Sequence, residues 1–143
     1  MIQYIEADER LKAVIAAQWS EQAARHMRLT DGFSLLAVEQ ETPVGLISVQ
    51  WRNLPIPLAE TCEAFIDIIE VHKDFRRQGI ATRLLELATE RAKARGAFQL
   101  RAWSSEDKTE AIPMWKALGF GLCPATIVPR GQEVNGFFVA LVL

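Results

Sequence analysis

Asp67-Ile68-Ile69-Glu70-Val71-His72-Lys73-Asp74-Phe75-Arg76-Arg77-Gln78-Gly79-Ile80-Ala81-Thr82 is the stretch that decides how this chain folds. It reads as a hydrophobic strand, a charged turn, a glycine-centred loop and the first turn of a helix. Gly79 removes the side chain that would keep a ligand away from the backbone, and Ala81 keeps the next helical position small. The N–H groups from Gln78 to Thr82 have no partner inside the helix, and the helix dipole adds positive potential at the same point. Such a point suits a phosphate. Arg76 and Arg77 add charge, and Thr82 offers a hydroxyl. The loop is not a P-loop, because the Gly-Lys-Ser/Thr ending is absent. It is not the dinucleotide fingerprint either, which needs further glycines in a fixed order.

Outward from this stretch, the chain alternates strands and helices. Ile2 and Tyr4 mark a short first strand. Asp8 caps a helix whose inner face carries Leu11, Val14, Ile15, Gln18 and Trp19. Phe33–Val38 and Val44–Trp51 form an antiparallel hairpin around the turn Glu41-Thr42-Pro43. Leu54-Pro55-Ile56-Pro57-Leu58 cannot be a central strand with two prolines; this apolar loop either lines or covers a cleft or packs on the core. Phe65–Val71 is a strand. Ile80, Leu84, Leu87, Ala88 and Ala92 form a buried helical face, with Arg83, Glu86, Glu90 and Lys93 opposite, and Gly96 ends the helix. A strand at Phe98–Trp103, a short helix near Thr109–Leu118, and a hairpin of Phe120–Val128 with Phe137–Leu143 close the chain. The order β-α-β-β-β-α-β-α-β-β implies an α/β (α+β) fold, one mixed sheet flanked by helices.

Length and composition set the limits. With 143 residues, 50% hydrophobic and 24% charged, the chain predicts one domain over residues 1–143. No apolar run approaches the roughly 20 residues that span a bilayer, and the first ten residues lack a signal layout. A cytoplasmic protein without a membrane partner is the expectation. The net charge of −2 lacks the basic surplus of a nucleic-acid binder. Cys62 and Cys123 lack CxxC spacing, and His26 and His72 match no metal motif, so no metal is expected. Both cysteines read as packing or loop residues, with Cys62 nearer the expected site. His72 opens a turn and reads as an exposed turn residue.

A second motif lies downstream: Ala111-Ile112-Pro113-Met114-Trp115-Lys116-Ala117-Leu118-Gly119-Phe120. Together with Arg76-Arg77-Gln78-Gly79-Ile80-Ala81 and the element order, it resembles the GNAT superfamily of N-acetyltransferases. The loop is similar to that family's Q/R-x-x-G-x-G/A acetyl-CoA motif, and the later segment to its A-I-x-F-Y-x-K-L-G-F element. The resemblance covers nearly the whole chain.

That resemblance implies an acetyl-CoA-dependent N-acyltransferase in which an amine attacks the thioester directly in a ternary complex. Glu70 and Val71 would supply backbone groups to the pantetheine arm. Gln78, Gly79, Ile80, Ala81 and Thr82 would hold the pyrophosphate, aided by Arg76 and Arg77. Trp115 stands where many members carry a tyrosine that donates to the departing thiolate, and indole can donate a hydrogen bond without serving as an acid. Lys108 stands where an asparagine is common and could still reach coenzyme A as a cation. For the base, Glu70 is favoured over Asp67, with Glu63 behind them; strand alternation puts Asp67 and Glu70 on opposite faces. On the acceptor side, Glu63, Asp67 and Glu60 make the approach acidic, and Trp51, Leu54, Ile56 and Trp103 offer apolar walls. The expected partner is a small cationic amine or a peptide amine, and the apolar last strand allows a homodimer. The other reading is a coenzyme A-binding sensor or interaction module with little or no transferase activity.

Overall fold

A computed structural model describes residues 1–58 and 60–143. The elements are β1 Gln3–Glu6, α1 Glu9–Gln18, α2 Glu21–Arg25, β2 Gly32–Glu39, β3 Thr42–Asn53, β4 Cys62–Val71, α3 Ile80–Arg95, β5 Gln99–Ser105, α4 Ala111–Ala117, β6 Gly121–Ile127 and β7 Val134–Val142. Short 3-10 turns cover Lys73–Phe75 and Pro129–Gly131. The seven strands form one mixed sheet in the order β1-β2-β3-β4-β5-β7-β6. All neighbours are antiparallel except β4 and β5. Pairing of the last strand is satisfied within the sheet, because β7 lies between β5 and β6.

The sheet separates two cores. Leu35, Ala37, Ile47 and Val49 face α3 and pack with its Ile80, Leu84 and Ala88. The alternate residues Leu36, Val38 and Leu46 face α1 and α2, packing with Ile15, Ala23, Ala24 and Met27. This is the period-two alternation of a strand buried on both sides. Asp8 Oδ1 accepts from the Leu11 N–H at 2.9 Å, capping α1 as its sequence indicates. The helix α2 has no counterpart in the sequence reading. It is five residues long, too short for an apolar period to show, and it begins where Ser20 Oγ accepts from the Ala23 N–H.

Two devices position the upper end of β4. Gly45 on β3 lets α3 approach, since a Cβ there would lie 2.8 Å from Ile80 Cγ2 and 3.2 Å from Ala37 Cβ. Gly45→Val should therefore push the start of α3 off the sheet. We expect a loss of about 1–3 kcal/mol, read by urea unfolding, together with weaker binding of any ligand held at the start of α3.

The second device is a bulge. Ser48 pairs with Ile68, but the next β3 residue, Val49, pairs with Ile66, so Asp67 is an extra residue on β4. A bulge bends its strand. The parallel pairing of β4 with β5 runs through Ala64–Leu100, Phe65–Arg101 and Ile66–Ala102 and stops there. Above the bulge the two strands part.

Candidate functional site

The opening between β4 and β5 is a cleft of about 1350 Å³. Its walls are the parted strand ends, Ile66–Val71 and Ala102–Ser105; the start of α3 closes one side and the loop into α4 the other. Trp19 and Gln22 line the cleft from the α1–α2 side and Ile80, Met114 and Trp115 from the side of α3 and α4, so the cleft passes through the sheet.

At the mouth, Gly79 adopts φ 78° and ψ 11°, the left-handed region that favours glycine. Nothing lies within 4 Å of where its Cβ would stand. The first helical bond of α3 runs from the Arg83 N–H to the Gly79 carbonyl at 2.9 Å. The N–H groups of Ile80, Ala81 and Thr82 thus precede the helical ladder, and no side chain caps them. The first turn carries no acidic residue, while Lys93 and Arg95 occupy the last turn, so the dipole is complemented at the far end and left open at the cleft. Arg76, Arg77, Ala81 and Thr82 line the cleft here, and Lys108 lines it from the α4 side. Gln78 is exposed in the same loop. The His72 N–H bonds the Val44 carbonyl on β3 at 2.8 Å, so the backbone groups of Val71, one residue earlier, point away from β3 to the cleft side. The Val71 carbonyl there accepts from Arg76 Nε at 3.2 Å. Open space above unpartnered donors fits a pyrophosphate.

Among the carboxylates, Glu70 is exposed and lines the cleft, and its Oε2 accepts from Trp19 Nε1 at 3.0 Å. Trp19 sits at the elbow between α1 and α2, where its own N–H closes α1 on Ile15. Asp67 lies on the same face as Glu70, against the alternation reading, because the bulge absorbs the odd residue. Its side chain is 8% exposed and paired with Arg28 Nε at 2.7 Å and Arg52 Nη2 at 3.5 Å. Arg28 is itself pinned through its backbone, whose N–H donates to Ser48 Oγ and whose carbonyl accepts from Ser34 Oγ, both at 2.8 Å. Asp67 thereby ties the segment after α2 to the bulge, and it is not free to meet a substrate.

Glu63 and Trp51 stand farther still from the substrate-binding role expected of them. Glu63 is 1% exposed. It is held bidentately by Arg101, at 2.7 and 2.9 Å, and by Gln99 at 2.7 Å. Burial pushes its carboxyl up, but the bonds from Arg101 and Gln99 and the charges of Arg101 and Arg52 outweigh that and hold it below its ordinary range. The pair bridges β4 and β5 where they are still joined, below the cleft. Trp51 packs on Phe33 and under Arg95 on the α3 face, beside Ala64 at the same closed end. The apolar loop neither lines the cleft nor packs inward, since Ile56 is 87% exposed and Leu58 53% exposed. Trp103 does line the cleft.

Trp115 lines the cleft, yet it is 2% exposed and packs edge-on against Phe120 with ring centres 4.8 Å apart. Its Nε1 is buried without a partner, a cost of about 1–3 kcal/mol. His72 is exposed, and its Nδ1 accepts from the Asp74 N–H, capping the 3-10 turn as a turn residue does. Residues that sequence reasoning missed are Trp19, Arg28, Arg52 and Arg101. The only signal for Trp19 was its place on the inner face of α1. Among the described residues, no cluster of His, Cys, Asp or Glu could hold a metal, and no helix is long and apolar enough to cross a membrane.

Comparison with known proteins identifies the family and the fold. A family model described as "Acetyltransferase (GNAT) family" matches residues 2–120. An uncharacterized N-acetyltransferase of Methanocaldococcus jannaschii is 36% identical over 94 residues, which cover 63% of this chain and 39% of that relative. The match thus spans well under half of that relative's length. Among solved structures, Arabidopsis thaliana NAA60 in complex with a bisubstrate analogue superposes with a TM-score of 0.79 at 13% identity, over 99% of this chain and 98% of that one. The ribosomal-protein-S18-alanine N-acetyltransferase of Escherichia coli gives 0.76 at 17% identity, over 99% and 94%. At these identities the likeness establishes the fold.

Proposed function

The chain belongs to the acetyltransferase (GNAT) family, and from that premise we propose that it is an acetyl-CoA-dependent N-acyltransferase acting on an amine. The observation that carries the reading is the parting of β4 from β5 above the Asp67 bulge, with the uncapped, glycine-led start of α3 at its mouth. The N–H groups of Gln78, Gly79, Ile80, Ala81 and Thr82, with Arg76 and Arg77, hold the pyrophosphate of acetyl-CoA, and Lys108 adds a cation on the opposite wall. The Val71 N–H binds the pantetheine arm. Acetyl-CoA supplies an activated acyl group.

An acceptor amine must be neutral to attack. Glu70 takes its proton, directly or through water, from the edge of the cleft. A backbone N–H of β4 near Val71 stabilises the negative oxygen that develops. Trp115 supports the wall beside α4; its buried N–H is not an acid, and the departing thiolate takes its proton from solvent. Trp115 is also the observation that favours the second reading, a coenzyme A-binding module with little turnover. The acceptor is a small-molecule amine or a peptide amine.

The test is thermal melting with acetyl-CoA alongside thiol release over a panel of amines. Acetyl-CoA should raise the Tm, and at least one amine should release free thiol. Glu70→Gln should lower kcat by about a hundredfold or more at neutral pH, while acetyl-CoA still raises the Tm. Stabilisation without turnover on any amine would favour the binding module, and no stabilisation by any coenzyme A ester would rule out both.

A further inference from the structure

We infer that the acceptor is an amine carrying a single positive charge beside an apolar, preferably aromatic, group, and that polyamines are excluded. This rests on the acyltransferase reading above and specifies its second substrate.

The inference comes from the face of the sheet that bears α1 and α2. Alternation places Glu63 and Phe65 of β4 and Arg101 and Trp103 of β5 on this face, opposite the α3 core residues Ala64, Ile66, Leu100 and Ala102. Composition suggests an acidic approach, but the structure neutralises it. Arg101 takes Glu63. Arg28 and Arg52 take Asp67. Asp31 is shared by Arg28 and Gln50. Three guanidiniums therefore stand on this face, and Arg52 and Arg101 also lie over the Phe65 ring, at 3.8 and 5.0 Å.

Glu70 differs from the other carboxylates of this face. Its bonded partner, the Trp19 indole, is neutral, so its charge stays available to an ammonium group at the cleft. Around it the surface is apolar. Trp19 and Trp103, both half-buried, line the same cleft, and Trp103 is backed edge-on by Phe138 at 5.0 Å. On this face of the cleft Glu70 is the carboxylate without a charged partner, while Asp107 and Glu110 line the cleft from the loop into α4. With indole walls beside it, Glu70 matches one ammonium and an apolar body. A second ammonium farther along this face would find Glu63, Asp67 and Asp31 already paired with Arg101, Arg28 and Arg52. Its lost hydration then has no free counter-charge to offset it, which discriminates against it.

This chemistry can come from a free arylalkylamine or from the N-terminus of a peptide with an apolar first residue. The test titrates the coenzyme A-saturated protein by calorimetry with phenethylamine, with a tetrapeptide beginning in phenylalanine, and with spermidine, and follows thiol release from acetyl-CoA with each. At least one of the two apolar amines should bind about tenfold more tightly than spermidine. The tighter of the two identifies the source. Trp103→Ala should erase most of that margin by weakening the apolar amine and not spermidine. Spermidine binding as tightly as either apolar amine, or no binding by any of the three, overturns the inference. The ranking in the unaltered protein is decisive even if Trp103→Ala fails to fold. If the ranking holds without turnover, the acceptor inference stands and the transferase reading fails. Turnover with spermidine preferred does the reverse.

Discussion

Gly79→Glu is expected to abolish acetyl-CoA binding and to leave the fold standing. Gly79 sits at φ 78° with open space where a side chain would project. A non-glycine residue there costs about 1–2 kcal/mol of backbone strain, and a carboxylate offsets part of this by capping the free N–H groups of α3. Those same N–H groups are where the pyrophosphate is proposed to lie. The new charge stands at that site, and like charges in contact cost several kcal/mol, so binding should weaken by more than about a hundredfold. Calorimetry with acetyl-CoA reads the binding, and far-ultraviolet circular dichroism with a melting curve reads the fold. Unchanged affinity in a folded variant would mean that the pyrophosphate lies elsewhere.

Arg101→Met is expected to be the most destabilising single change on the β4–β5 seam. It removes the charged partner of a carboxylate that is 1% exposed, leaving Gln99 as its bonded neighbour. Breaking a buried pair from one side costs about 3–5 kcal/mol. The Arg101 side chain is itself 30% exposed, which places the effect near the lower end, a fall in Tm of about 10 °C for a chain of this size. The variant also predicts a pH dependence. Glu63 in the folded protein holds its proton less tightly than an ordinary glutamate at 4.5. Its pairing therefore contributes fully above that value and is lost as pH falls through the lower folded value. Urea unfolding should show a large gap between the unaltered protein and Arg101→Met at neutral pH, narrowing well below pH 4.5. A gap that does not change with pH would show that Arg101 acts through its contacts with Phe65 and Phe138 rather than through Glu63.

The glycine loop was legible because its conformation is local. Gly79 and Gly96, at φ 78° and 83°, do what glycines at a helix start and end do, and Asp8 caps α1 three residues away from its donor. The acceptor side was not legible in this way. Its carboxylates are governed by partners remote in the chain: Glu63 by Arg101, 38 residues on, and Asp67 by Arg28, 39 residues back. A count of acidic residues cannot register that cancellation. The reading of Asp67 and Glu70 as facing opposite ways assumed an unbroken strand, and one bulged residue reverses it.

By itself the sequence determined the order of the strands and of every helix but the five-residue α2, the glycine loop and the family, because each depends on residue type over a few neighbouring positions. The tertiary structure decided which charges remain for a substrate. Glu63 and Asp67 are spent holding the sheet and the bulge together, Trp51 packs at the closed end, and Glu70 is left at the cleft with a neutral indole beside it. Whether a carboxylate can act on a ligand depends on what neutralises it, and pairing across a folded sheet is a property of distances that exist only once the strands are aligned.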